Sequence, residues 1–98
     1  MKTHEEQADH LEHELTDDDR KLLDELAEAV AKRRMATPAI FFLESVKPMG
    51  YIASQVMHFF RPVIQAVWTN PMTYDRIAKI LERRGSIELL LRRLEARA

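Results

Sequence analysis

The stretch AIFFLESVKPMGYIASQVMHFFRPVIQAVWT, residues 39 to 69, decides how this chain folds. Nineteen of its thirty-one residues are apolar, and it holds six of the chain's seven aromatics: Phe41, Phe42, Tyr51, Phe59, Phe60 and Trp68. From Met49 to about Thr69 the apolar positions fall into two adjacent helical stripes. Met49, Ile52, Val56, Phe59 and Val63 form one, and Ala53, Met57, Phe60, Ile64 and Val67 form the other. At 1.5 Å per residue such a helix is roughly 30 Å long, with Pro62 as a kink. Polar side chains keep only a narrow band of Tyr51, Ser54, Gln55, His58, Arg61 and Gln65, so this helix needs cover on nearly every side.

Upstream, Thr16 followed by Asp17, Asp18 and Asp19 marks a helix start. A hydroxyl there accepts an orphan amide, and three carboxylates sit at the positive end of the helix. Leu22, Leu23, Leu26, Ala29 and Val30 then form one apolar stripe, which ends at Lys32, Arg33 and Arg34, three cations suited to a helix C-terminus. Thr37-Pro38 gives a second start signal, for a short helical segment from Ala39 to Val46, and Lys47-Pro48 interrupts it. Downstream, Asn70-Pro71 caps a helix carrying Ile77, Ile80 and Leu81 that ends at Gly85. Ser86 caps the last helix, whose stripe is Ile87, Leu90, Leu91 and Leu94. Residues 1 to 15 offer only Leu11 and Leu15 for burial and read as a mobile acidic N-terminal arm. The expected fold is all-α: residues 16 to 98 form one domain, a small bundle of four to five helices around one long central apolar helix.

Composition narrows the class further. Ninety-eight residues give one small domain, and the absence of cysteine excludes disulfides and thiolate metal sites. With 46% hydrophobic and 32% charged residues the chain has enough apolar material to fold. The formal net charge of −1 is unevenly spread: residues 1 to 36 sum to −5, 37 to 70 to +1 and 71 to 98 to +3. An acidic front and a basic tail either attract one another or form two poles for different partners. Met1 to Glu6 contain acid and no apolar run, so they read as neither a secretory signal nor a transit peptide. A cytoplasmic setting, with the inner face of a membrane as an alternative, is the expectation. The longest runs free of Asp, Glu, Lys and Arg, 48 to 60 and 62 to 74, are thirteen residues each, too short to span a bilayer.

No pattern in the chain specifies a reaction or a cofactor. His4, His10 and His13 include a His-x-x-His spacing that suits a metal, but on an arm without anchoring they read as solvated. Ser54 and His58 lie four apart, with Glu44 as a conceivable third member, yet a helix interior has no free amides for an oxyanion hole. That polar band reads as a hydrogen-bonded seam or a strip facing water, and Glu44 and Lys47 as a local ion pair. Tyr74 to Leu94 has the outline of a helix-turn-helix, but Glu88 and Leu89 stand where a recognition helix presents polar or basic groups.

The expected role is therefore binding rather than catalysis. The short flanking helices carry too little apolar surface to hide the whole midsection, so Phe41, Phe42, Phe59, Phe60 and Trp68 are expected to pack against a second copy or a larger protein complex, as in an accessory or scaffold protein. The alternative is attachment to a membrane surface through Lys32, Arg33 and Arg34 with the same aromatics. A third, weaker expectation is nucleic-acid contact through Arg92, Arg93 and Arg97.

Overall fold

A computed structural model describes residues 4–46, 53–83 and 85–98. The described residues form six helices and no strand: α1 (His4–Glu14), α2 (Asp17–Lys32), α3 (Ala36–Val46), α4 (Ala53–Val67), α5 (Pro71–Leu81) and α6 (Ser86–Arg97). The all-α expectation is met, with one helix more than the expected four to five.

Local chemistry explains most of the boundaries. Thr16 Oγ1 accepts the Asp19 N–H at 3.1 Å, and Asp17 to Asp19 fill the first turn of α2. That helix ends in two reverse bonds, Arg34 N–H to the Ala31 carbonyl at 2.9 Å and Met35 N–H to the Val30 carbonyl at 3.1 Å, with Arg34 in the left-handed region at φ 58°. This is a Schellman closure with arginine in the place usually held by glycine. Because Met35 leaves that closure pointing directly into α3, its carbonyl accepts the Ala39 N–H at 2.9 Å, and α3 starts at Ala36. Thr37, read above as the cap, lies inside the first turn. Asn70 caps α5 as expected: its side chain accepts the Met72 N–H at 2.9 Å, and Pro71 opens the helix. Gly85 adopts φ 89° at the corner before α6. Ser86 does not cap α6. It is buried, and its hydroxyl donates to the Leu81 carbonyl at 3.0 Å, so it ties α6 to the end of α5.

The centre of the bundle is α6, not α4. On α6 the residues Ile87, Leu89, Leu90, Leu91 and Leu94 are all buried, three of them consecutive, so most of its circumference is covered and the strip of Glu88, Arg92 and Glu95 reaches water. Helices α1, α2, α3 and α5 pack around it, while α4 lies on α5 and α2. The long central helix expected from 49 to 69 is α4 over 53–67, 15 residues, shorter than the 16-residue α2. Met49 to Ile52 lie outside the described residues. Its buried set, Val56, Met57, Phe60, Val63 and Ile64, is the seam where the two predicted stripes meet, and Gln55, His58, Arg61, Pro62 and Gln65 are exposed. Pro62 is tolerated inside α4 because it sits on that solvent side.

Where a mobile arm was expected, α1 is a helix seated on α6 with Leu11 buried, and Leu15 just beyond it is buried as well. Arg20 holds its end: Nη1 donates to the Glu12 carbonyl at 2.7 Å and to the Leu15 carbonyl at 2.9 Å. The acidic front and the basic tail meet. Arg93, with only 12% of its side chain exposed, donates from Nε to Asp24 on α2 at 2.6 Å, from Nη2 to Glu12 on α1 at 3.1 Å, and from Nη1 to the Leu89 carbonyl at 3.1 Å. Arg92 reaches Asp9 at 2.9 Å, Arg97 reaches Glu28 at 2.9 Å, Arg83 reaches Glu14 at 2.6 Å, and Arg76 reaches Asp19 at 3.3 Å.

Two stability measurements follow from this arrangement. Leu90→Ala is expected to cost about 2–5 kcal/mol, because the surrounding helices cannot all close on the vacated volume; urea denaturation with unchanged slope reads it. Arg93→Ala is expected to cost about 1.5–3 kcal/mol, the range for hydrogen bonds to charged groups that are left unsatisfied. Arg92→Ala, whose pair is exposed, is expected to stay under about 1 kcal/mol. Equal losses for the two arginines would contradict the shared position assigned to Arg93.

Candidate interaction surfaces

The five aromatics expected at an interface do not form one surface. Phe42 of α3 stacks on Phe59 of α4 with ring centroids 4.4 Å apart and planes within 8° of parallel. Phe60 meets Phe59 edge-on at 5.0 Å and 84°. Both geometries suit the ring quadrupole, so this trio joins α3 to α4. Phe60 is fully buried and belongs to the core, whereas Phe42 and Phe59 are half-buried against it. Phe41, the neighbour of Phe42, is 69% exposed. Its position follows from helix geometry: consecutive residues point about 100° apart, so α3 cannot bury both rings of the Phe41-Phe42 pair against the same neighbour. Trp68, just past α4, is half-buried and lines a cleft of about 370 Å³ with Arg61, Gln65, Asn70, Tyr74 and Asp75.

Two further exposed apolar side chains escape the sequence reading, Met72 at 75% and Val67 at 43%. The signal for Met72 was present: it stands five residues before Ile77, out of phase with the Ile77, Ile80 and Leu81 stripe. Val67 was assigned to a stripe that stops being covered near the end of α4.

Lys32, Arg33 and Arg34 are all exposed at the turn from α2 into α3. They are not a purely cationic patch. Lys32 and Arg33 line an open groove of about 470 Å³ with Lys21 and Arg97, but also with the acids Asp24, Glu25 and Glu28 and the apolar Ala29 and Val67. Arg33 Nη1 also donates to the Ala29 carbonyl at 3.3 Å, a cation at the negative end of α2. Arg92, Arg93 and Arg97 are each engaged with carboxylates of α1 or α2, as described above, so a phosphate would have to displace an acid already in place.

The remaining candidates stay apart. His10 Nε2 lies 2.7 Å from Glu14, the same carboxylate that takes Arg83, and His13 is exposed. Among the described residues no three His, Asp or Glu side chains are grouped to hold a metal ion. The side chains of His4 and Ser54 lie outside the described residues, as do Lys47 and Tyr51. His58 and Glu44 are exposed, and the polar band of α4 is a strip facing water rather than a buried seam. Among the described residues no helix is long and apolar enough to cross a membrane.

What the geometry brings together is thus an aromatic shoulder on α3 and α4, with Phe41 outermost. No family model, no curated protein and no solved structure matches this chain.

Proposed function

We propose that this chain is a small non-enzymatic helical binding protein that packs against a second copy of itself or a larger protein complex through the α3–α4 aromatic shoulder. Phe41, Phe42 and Phe59 form the contact, with Trp68 at its margin and Phe60 supporting it from the core. The observation that carries this reading is Phe41, a phenylalanine 69% exposed beside a half-buried aromatic stack. Covering such a ring is worth about 1.5–3 kcal/mol, and aromatic anchors of this kind dominate the energetics of protein interfaces. A cytoplasmic setting accords with a chain that has no cysteine.

A second reading has one observation in its favour. Lys32, Arg33 and Arg34 are exposed at the turn that leads into the helix carrying Phe41, the combination a peripheral membrane anchor uses. The carboxylates of Glu25 and Glu28 in the same groove weaken attraction to anionic lipid.

Phe41→Asp separates these outcomes from a purely structural role. It is expected to abolish association in light scattering, while denaturation shifts by no more than about 0.5 kcal/mol, as for other surface changes. Phe60→Asp, by contrast, is expected to unfold the chain. A wild-type protein that stays strictly monomeric, retains no apolar dye and captures no partner removes the binding reading. Flotation with anionic vesicles that Phe41→Asp and Arg33→Glu both abolish replaces it with the membrane one.

A further inference from the structure

The helix least anchored by apolar contact is α1. Leu11 is its buried residue among the described side chains, and Leu15 follows it beyond the helix end. Apart from the Arg20 bonds to the Glu12 and Leu15 carbonyls at its end, the rest of the hold that the described residues show is by ion pairs. Asp9 takes Arg92 at 2.9 Å, Glu12 takes Arg93 at 3.1 Å, and Glu14 takes Arg83, just before α6, at 2.6 Å. Asp9 and Glu12 pair with neighbouring arginines on α6 while Glu14 pairs with Arg83 before its start, so the C-terminal end of α1 lies toward the start of α6. On α6, Leu89 stands three and four residues before Arg92 and Arg93, so the two guanidinium groups flank it on the helix surface. Leu89 is fully buried, and the helix lying across both arginines is α1.

This seat has a definite recognition chemistry: an apolar floor at Leu89 between two cations, with a third cation a turn and a half beyond. It fits an amphipathic helix bearing carboxylates at i and i+3 and a leucine beside them, which is the pattern of Asp9, Leu11 and Glu12. Exposed ion pairs are weak singly and are screened by salt. Two of the three pairs holding α1, Asp9–Arg92 and Glu14–Arg83, are of this exposed kind, and a helix with one buried leucine and such ties opens at a free energy below that of the core. We infer that the α6 face beneath α1 is a binding site for an acidic amphipathic helix of a partner protein, kept shut by α1 as a tethered competitor. The tether supplies α1 at a high effective concentration, so a partner must carry more apolar contact or more acid than α1 to take the seat. This inference is independent of the aromatic shoulder on α3 and α4, and either can fail without the other.

The test uses the full chain. In the Asp9→Lys, Glu12→Lys variant the tethered helix carries the wrong charge, and the seat is expected to open. A dye-labelled synthetic peptide of residues 4–15 is the probe, and its scrambled version the control. Fluorescence anisotropy is expected to show the variant binding the peptide at least about tenfold more tightly than the wild type, an advantage lost as NaCl is raised from 0.1 M to 1 M and the screening length falls from about 10 Å to about 3 Å. Hydrogen exchange on the unmodified chain provides a second reading that no folding defect can spoil: over the same salt range the α1 amides are expected to speed up at least about tenfold while those of α2 and α6 hold. Equal binding of the scrambled peptide overturns the site. So does an α1 that exchanges in step with α2 at every salt concentration, since the seat would then never be vacated. Wild-type mass that rises with concentration and falls on adding the peptide assigns the seat to a second copy instead, and overturns the choice of partner.

Discussion

The constraint on which the rest of the structure depends is the burial of α6 over most of its circumference, all but the strip of Glu88, Arg92 and Glu95. Leu89, Leu90 and Leu91 are consecutive and fully buried, so they point in three directions about 100° apart, and each direction needs its own neighbour. A helix with one apolar stripe can lie on a surface; this one has to be enclosed. That requirement explains why α1, α2, α3 and α5 converge on a 12-residue element at the end of the chain. The buried Ser86 hydroxyl, bonded to the Leu81 carbonyl, sets where α6 leaves α5 and so fixes which leucine meets which helix.

Electrostatics selects among the ways of building that enclosure. The apolar faces of α1 and α2 alone would accept α6 in more than one register, but the arginines accept few. Arg93 satisfies Asp24 and Glu12 at once while its third donor returns to the backbone of its own helix. Its planar fork carries donors in fixed directions, so a shift of α6 by one turn breaks both ion pairs together. The outer pairs of Arg92 and Arg97 are exposed and contribute little energy each, yet they extend the same register along α1 and α2.

Local signals were legible in the sequence and long-range ones were not. The Thr16 and Asn70 caps, the corner at Gly85 and the α2 stripe follow from residues within one helical turn of each other, and all appear where the sequence puts them. The α1 helix could not be read that way, because Leu11, Asp9 and Glu12 become favourable only on meeting residues 81 to 83 positions away. The misplaced centre has the same origin. Leu89 falls outside the Ile87, Leu90, Leu91 and Leu94 stripe, so helical period alone does not assign it to the core, whereas the two stripes of α4 predict burial nearly all round. Thr37 and Ser86 show that a cap-forming residue type is not a cap when the chain before it already turns into the helix. Of the expected contact residues, Phe41 is exposed, Phe42 and Phe59 are intermediate, and Phe60 is core. Period and hydropathy treat four phenylalanines alike, and only the positions of α3 and α4 distinguish them.

The same division organises the surface. The interhelical ion pairs join α1 and α2 to α5, α6 and the corner between them, and so pair part of the acidic front with part of the basic tail within the molecule. Among the described residues the large apolar side chains left in water, Phe41, Val67 and Met72, lie one each on α3, α4 and α5. A chain whose net charge is −1 thus pairs charge mainly among α1, α2 and α6 and leaves an exposed ring on α3, while α5 carries both the Arg76 pair and the exposed Met72. Internal pairing lowers the long-range field that would draw a polyanion to Arg92, Arg93 and Arg97. What remains to recognise a partner is short-range apolar contact, strongest where Phe41 stands beside the stacked Phe42 and Phe59, and a charge-matched seat that becomes available only when α1 gives it up.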